Sequence, residues 1–162
     1  MQVLWAPWRM AYLTGTKTAG CIFCVAADTP DRREHLVLAQ RPAVVMLNKF
    51  PYANAHLLVA PRRHAADLSA LSTEEMHALT DALHRAAGIV RDAFQCQGLN
   101  LGMNLGAAAG AGIADHLHWH IVPRWVGDTN FMPMLAEVRV IPEHLDATYD
   151  RLRPLFAPLD SA

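Results

Sequence analysis

His116-Leu117-His118-Trp119-His120-Ile121-Val122 sets three imidazoles at strict alternation inside an otherwise apolar run. That period belongs to a β-strand, in which every second side chain points to the same face. His116, His118 and His120 would then line one side, with Leu117, Trp119 and Ile121 on the other, fit to meet a helix. A length decides against all three gripping one metal ion. At about 3.3 Å per residue the outer two backbones sit roughly 13 Å apart. A straight strand cannot bring three nitrogens each within about 2.0–2.1 Å of one zinc. The imidazoles must therefore divide their labour. Neutral imidazole attacks phosphorus well, and a pKa of about 6.5 leaves much of it neutral at cell pH. The pattern points to a nucleophile in the middle, flanked by donors for phosphate oxygens.

Outward from this segment the chain reads as short strands around one long helix. Residues 36–39 and 43–48 are apolar runs on either side of Arg41-Pro42, a hairpin signal. A loop from Lys49 to Asn54 leads to a third strand, Leu57-Leu58-Val59-Ala60, ended by Pro61. Ser72 and Glu75 have the spacing of a capping box. Behind them Met76, Leu79, Leu83, Ala86, Ala87 and Val90 recur at helical spacing, which predicts a helix from Ser72 to about Gln95. His77 and His84 fall on its solvent side. Residues 99–105 and 117–123 complete five strands, Thr129 to Arg139 is loop-like, and Pro142 opens a final helix through about Leu155. Hairpin strands around one long helix predict an α+β fold with an antiparallel sheet.

The whole sequence bounds the function. Its 162 residues fit one domain, residues 1–162, with 1–20 as an amino-terminal extension and 141–162 as a carboxy-terminal helix and tail. With 52% hydrophobic residues the chain is not of the disordered class. A net charge of −1 and only the short pairs Arg32-Arg33 and Arg62-Arg63 disfavour a nucleic-acid partner. Met1 to Leu13 lacks the basic start and clean cleavage site of a signal peptide. No stretch of about 20 apolar residues suits a membrane helix. Three cysteines make no disulfide framework, and a reducing, cytoplasmic setting is expected. Gly106 to Gly112 offers backbone N–H groups to phosphate but lacks the Lys-Ser/Thr ending of a P-loop. Gly20-Cys21-Ile22-Phe23-Cys24 reads as a tight knuckle; its Cys21-x-x-Cys24 alone is half a metal site, and it lacks the βαβ setting of a thioredoxin motif.

The His-φ-His-φ-His-φ-φ segment, with φ apolar, resembles the signature of the histidine triad (HIT) nucleotidyl hydrolases and transferases. Other pieces carry the same likeness along residues 4–140: Asn48-Lys49-Phe50-Pro51, His56-Leu57-Leu58-Val59-Ala60-Pro61, Asn104-Leu105-Gly106 and Ala109-Gly110. Leu4-Trp5-Ala6-Pro7-Trp8-Arg9 and Gly127-Asp128-Thr129-Asn130-Phe131 are similar to the branch that acts on diadenosine polyphosphates. The resemblance implies a HIT-like antiparallel five-stranded sheet with one long helix and a carboxy-terminal helix. It implies that His118 attacks an α-phosphorus and that His120 donates to a phosphate or bridging oxygen. His116 completes the triad, and Asn104 and Gly110 lie on the phosphate side. It also implies that Asn48 holds the ribose hydroxyls, that Ile22, Phe23 and Leu47 pack the base, and that His56 stands near the triad. Members pair as two-fold dimers, so a homodimer is expected. A divalent cation on the polyphosphate is compatible with this reading.

Two departures separate this chain from the usual pattern. Ala55 replaces the glycine before His56, and Gly112-Ile113 stands where many relatives carry a Gln and a Ser or Thr. The second, with a loop one residue longer, moves the expectation from hydrolysis toward phosphorolysis. A dinucleoside polyphosphate hydrolase, a nucleoside phosphoramidase and a nucleotide-binding regulatory module are the competing readings. The resemblance also supplies partners for the cysteine pair: His64, after Pro61, and His116 would complete a structural zinc site with Cys21 and Cys24. His35 is a competing ligand.

Overall fold

The computed structural model of the chain describes residues 20–128 and 141–160. In chain order the elements are α1 (Ile22–Asp28), β1 (Val37–Ala39), β2 (Val44–Leu47), β3 (Leu57–Ala60), α2 (Thr73–Phe94), β4 (Gly98–Met103), β5 (Trp119–Arg124) and α3 (Leu145–Phe156). The strands form one antiparallel sheet in the order β1-β2-β3-β5-β4, so the predicted five-stranded α+β architecture is the observed one.

Strand alternation divides the core into two layers. Val45, Leu47, Leu57, Val59 and Ile121 point to one face, where Leu79, Ala82, Ala86 and Val90 of α2 and Leu152 and Phe156 of α3 cover them. Val44, Met46, Leu58 and Ala60 point to the other, where Phe23, Ala26 and Ala27 of α1 pack. Strands covered on both sides need no polar alternation, which is why VVML and LLVA are unbroken apolar runs. The triad side chains fall on the α1 layer, since Leu58 pairs with His120.

Local signals account for most boundaries. The Ser72–Glu75 capping box forms in both directions, and Glu75 also takes two hydrogen bonds from the Arg63 guanidinium. That guanidinium, with the Ser72 N–H, holds the Glu75 carboxyl down at about 2. Helix α2 therefore starts where predicted and ends one residue early, with Gln95 as a left-handed cap. His77 and His84 lie on its exposed side, as expected.

Three expectations need correction. Helix α1 stands where a tight knuckle was expected. Strand β5 begins at Trp119, two residues late, because the Leu117 N–H donates to the Ala65 carbonyl instead of joining the ladder. The last helix begins at Leu145, because Glu143 is drawn to Thr148 and Arg151 and His144 becomes the cap. The sequence pieces at 4–9 and 129–139 lie outside the described residues, as does Thr129-Asn130-Phe131. Among the described residues no helix is long and apolar enough to cross a membrane.

Candidate functional site

The three triad histidines lie on the α1 side of the sheet, His116 and His118 both against Phe23, but each has its own partners. His116 lies before β5 and is fully buried, with its ring turned toward the cysteines. Its Nε2–H donates to the Pro61 carbonyl at 2.9 Å, which leaves Nδ1 with a lone pair. That Nδ1 is 3.2 Å from Cys21 Sγ and 3.7 Å from Cys24 Sγ, and His64 Nδ1 is 3.3 Å from Cys24 Sγ. All four ligand atoms fall within 4.8 Å of one another. A tetrahedral ion with bonds of about 2.3 Å to sulfur and 2.0–2.1 Å to nitrogen needs S···N separations of about 3.5 Å. The donor set and spacing suit zinc, with Pro61 fixing the His116 tautomer from behind. His35 is not in the cluster.

His118 is nearly buried, and its Nδ1 lies 2.9 Å from the His116 carbonyl oxygen. A carbonyl only accepts, so Nδ1 carries the proton and Nε2 keeps its lone pair. His120 is set the other way through two neighbours. The Tyr52 backbone N–H donates to His56 Nδ1 at 3.1 Å, with the Asn48 side-chain amide 3.2 Å from the same nitrogen. His56 Nδ1 is thus an acceptor, and its proton sits on Nε2, which lies 2.9 Å from His120 Nδ1. His120 Nδ1 accepts, so its proton sits on Nε2. Two imidazoles with centroids 4.9 Å apart therefore hold opposite tautomers. One offers a lone pair and the other an N–H. Burial lowers the pKa of His116, His118 and His120 below the ordinary histidine value, which keeps the neutral forms these roles require.

The other predicted residues divide. Asn104 follows Met103, which pairs with Trp119, so it stands beside the triad segment. A Cβ at Gly110, whose φ is +83°, would lie 3.6 Å from the Asn104 amide nitrogen, so the two share one corner. Phe23 is fully buried with its ring 4.8 Å from His118, and Ile22 packs on the same layer. Leu47 is not brought to this side. It is fully buried among the residues facing α2, and alternation gives the triad side to Met46 instead. Asn48 holds His56 and, through Oδ1, accepts from the Phe50 N–H at 2.9 Å. Sequence reasoning missed Tyr52, whose ring is 4.7 Å from that of His56 and whose N–H sets the tautomer. A backbone donor leaves no mark in residue type.

Comparisons with known proteins agree with this geometry. The family model described as HIT domain matches residues 29–126. The chain is 32% identical over 157 residues to an AP-4-A phosphorylase of Mycobacterium tuberculosis, covering 91% of this chain and 80% of that protein. It is also 31% identical over 107 residues to Protein hit of Bacillus subtilis, covering 65% and 71%. Among solved structures, a Zn-bound histidine triad family protein from Mycobacterium smegmatis superposes with a TM-score of 0.67. Its identity is 28%, and the match covers 90% of this chain and 99% of that one.

Proposed function

This chain belongs to the HIT domain family, and from that membership we propose that it is a nucleotidyl transferase cleaving dinucleoside polyphosphates by phosphorolysis. Family membership and the AP-4-A phosphorylase relative support nucleotide-handling enzyme chemistry. The observation that carries the finer reading is the pair of opposite tautomers at His118 and His120.

The His118 Nε2 lone pair forms a bond to the α-phosphorus as the bridging P–O bond breaks and the leaving nucleoside polyphosphate takes the electron pair. Positive charge then develops on the imidazole, and the Nδ1–H bond to the His116 carbonyl strengthens with it. His120 Nε2–H donates to the bridging oxygen as it becomes anionic. A polyphosphate departs as an anion, so a hydrogen bond suffices and His120 stays neutral. An oxygen of inorganic phosphate next attacks the phosphorus, the N–P bond breaks, and His118 returns to its starting state. Asn104 and the Gly110 corner would hold phosphate oxygens, and Asn48 serves the ribose side and His56 together.

The Cys21, Cys24, His64 and His116 cluster would hold one zinc as a structural ion. When bound, the ion supplies rigidity and no reacting group. The proposed assembly is a homodimer; in support, the edge strand β4, GLNLGM, carries no charge or proline to block pairing and exposes Leu101.

Product analysis with diadenosine tetraphosphate tests the function. ADP plus ATP formed only with inorganic phosphate is the expected result. AMP plus ATP in plain buffer would make the protein a hydrolase. No turnover in either would contradict the proposal and favour a phosphoramidase or a binding module. A pH profile tests the protonation states. His118 must be neutral to attack, so kcat/KM should be flat above pH about 6.5 and fall only at lower pH, through its depressed pKa. An acid limb centred above that value would contradict the assignment.

A further inference from the structure

Asn54 is nearly buried, and it sits at the end of the β2–β3 loop, two residues before His56. Its side chain reaches the start of the last helix, 94 residues away in sequence. Thr148 is fully buried, and its hydroxyl has one proton, which goes to Glu143 Oε2 at 2.8 Å, with Asn54 Oδ1 at 3.3 Å. The Asn54 amide nitrogen lies 3.4 Å from the same Glu143 oxygen, and Arg151 Nη2 donates to Oε1 at 2.7 Å. A buried polar group left without partners is costly, so the buried Asn54 and Thr148 are committed to this cluster, with Glu143 and the exposed Arg151 at its rim.

The next residue explains what the anchor is for. Ala55 is buried with φ at +54°, in the left-handed region that costs an L-residue free energy and that glycine enters freely. Something must hold the chain there on both sides. On the far side the Asn48 N–H donates to the His56 carbonyl at 2.8 Å, and β3 follows. On the near side stands the Asn54 network. We propose that Asn54, held by the Glu143 carboxylate that Thr148 and Arg151 fix in turn, is a positioning residue that steadies the Ala55 turn and so aims His56 at His120. If Asn54 lets go, Ala55 is free to leave the left-handed region and the loop shifts. The Tyr52 N–H then no longer reaches His56 Nδ1. With only the Asn48 amide, at 3.2 Å, left on His56 Nδ1, the hold on the proton at His56 Nε2 weakens, and so does the contact that keeps the His120 proton on Nε2. The carboxy-terminal helix thereby sets the hydrogen bond offered to the leaving oxygen.

This inference rests on the proposed nucleotidyl transfer, and the test separates the two. Asn54→Ala and Thr148→Val are made in the full chain, and the imidazole nitrogens of His120 are read by 15N NMR. Turnover is followed on a series of AMP aryl esters running from good to poor leaving phenols. Either variant should lower kcat about tenfold to a hundredfold, most for the poorest leaving groups, and mix the His120 tautomer while KM holds. Thr148→Ser, which keeps the hydroxyl, should behave as wild type. Ala55→Gly added to Asn54→Ala should restore most of the loss, because glycine takes the turn unaided. If Asn54→Ala fails to fold, Thr148→Val carries the test. An unchanged His120 tautomer, or a loss equal for every leaving group and not rescued by glycine, would overturn the inference. A wild type that transfers no nucleotidyl group would defeat the functional reading, and the tautomer comparison would still decide this one.

Discussion

Replacing His118 with asparagine is expected to abolish turnover while nucleotide binding survives. The imidazole does two jobs through two atoms. Nδ1–H donates to the His116 carbonyl at 2.9 Å, and Nε2 supplies the attacking lone pair. The asparagine amide can copy the first donation and has no nucleophile for the second, so the fold and the pocket persist. The loss in kcat should be on the order of 10⁴-fold or more, as for nucleophiles removed from other covalent enzymes. His120→Asn gives the internal contrast. It removes a donor to developing charge and leaves the nucleophile in place, so its loss should be about 10²–10³-fold. Equal losses in the two variants would undo the division of roles, and full turnover in His118→Asn would end it.

The second large effect is expected at the metal cluster. Wild type should carry about one zinc per chain, and Cys24→Ser should carry almost none, since serine keeps its proton where a thiol gives it up. An ion that binds only the folded state adds about 2.7 kcal/mol at a free concentration a hundred times its Kd. The variant should lose at least that much in zinc-containing buffer, and a chelator should bring wild type down to match. His35→Ala should keep its zinc, because His35 lies outside the cluster. The loss should also reach turnover, because His116 would bind the ion through Nδ1 and holds His118 through its carbonyl. Elemental analysis finding no zinc in carefully purified wild type, or a full equivalent in Cys24→Ser, would remove the site.

How legible this was depended on the kind of signal. Alternation at 116–122, the apolar runs at 44–47 and 57–60, and the Ser72–Glu75 box are local patterns, and the elements they predict are present. Helix α1 was hidden because it has no side-chain cap, no acidic first turn and no basic last turn. Only tertiary burial of Phe23, Ala26 and Ala27 makes it a helix. The triad read as one row of imidazoles because period is all that sequence offers. The separate role of His116 comes from partners at 61 and at 21–24, distant in the chain. Leu47 was assigned to the base side by likeness alone, and strand alternation sends it to the α2 core. The tautomers depend on a backbone N–H at Tyr52 and a carbonyl at His116, groups every residue carries. The Asn54–Thr148 anchor joins positions 94 apart with no pattern in either segment.

The central claim is a covalent bond between His118 Nε2 and the α-phosphorus. The direct measurement is rapid mixing with diadenosine tetraphosphate without phosphate, an alkaline quench, and mass analysis of the tryptic peptide spanning residues 92–124, which contains the whole triad. An adenylyl adduct on His118 that forms before steady state and disappears when phosphate is added is the predicted result. Turnover proceeding with no adduct, or with one on His116 or His120, would contradict it.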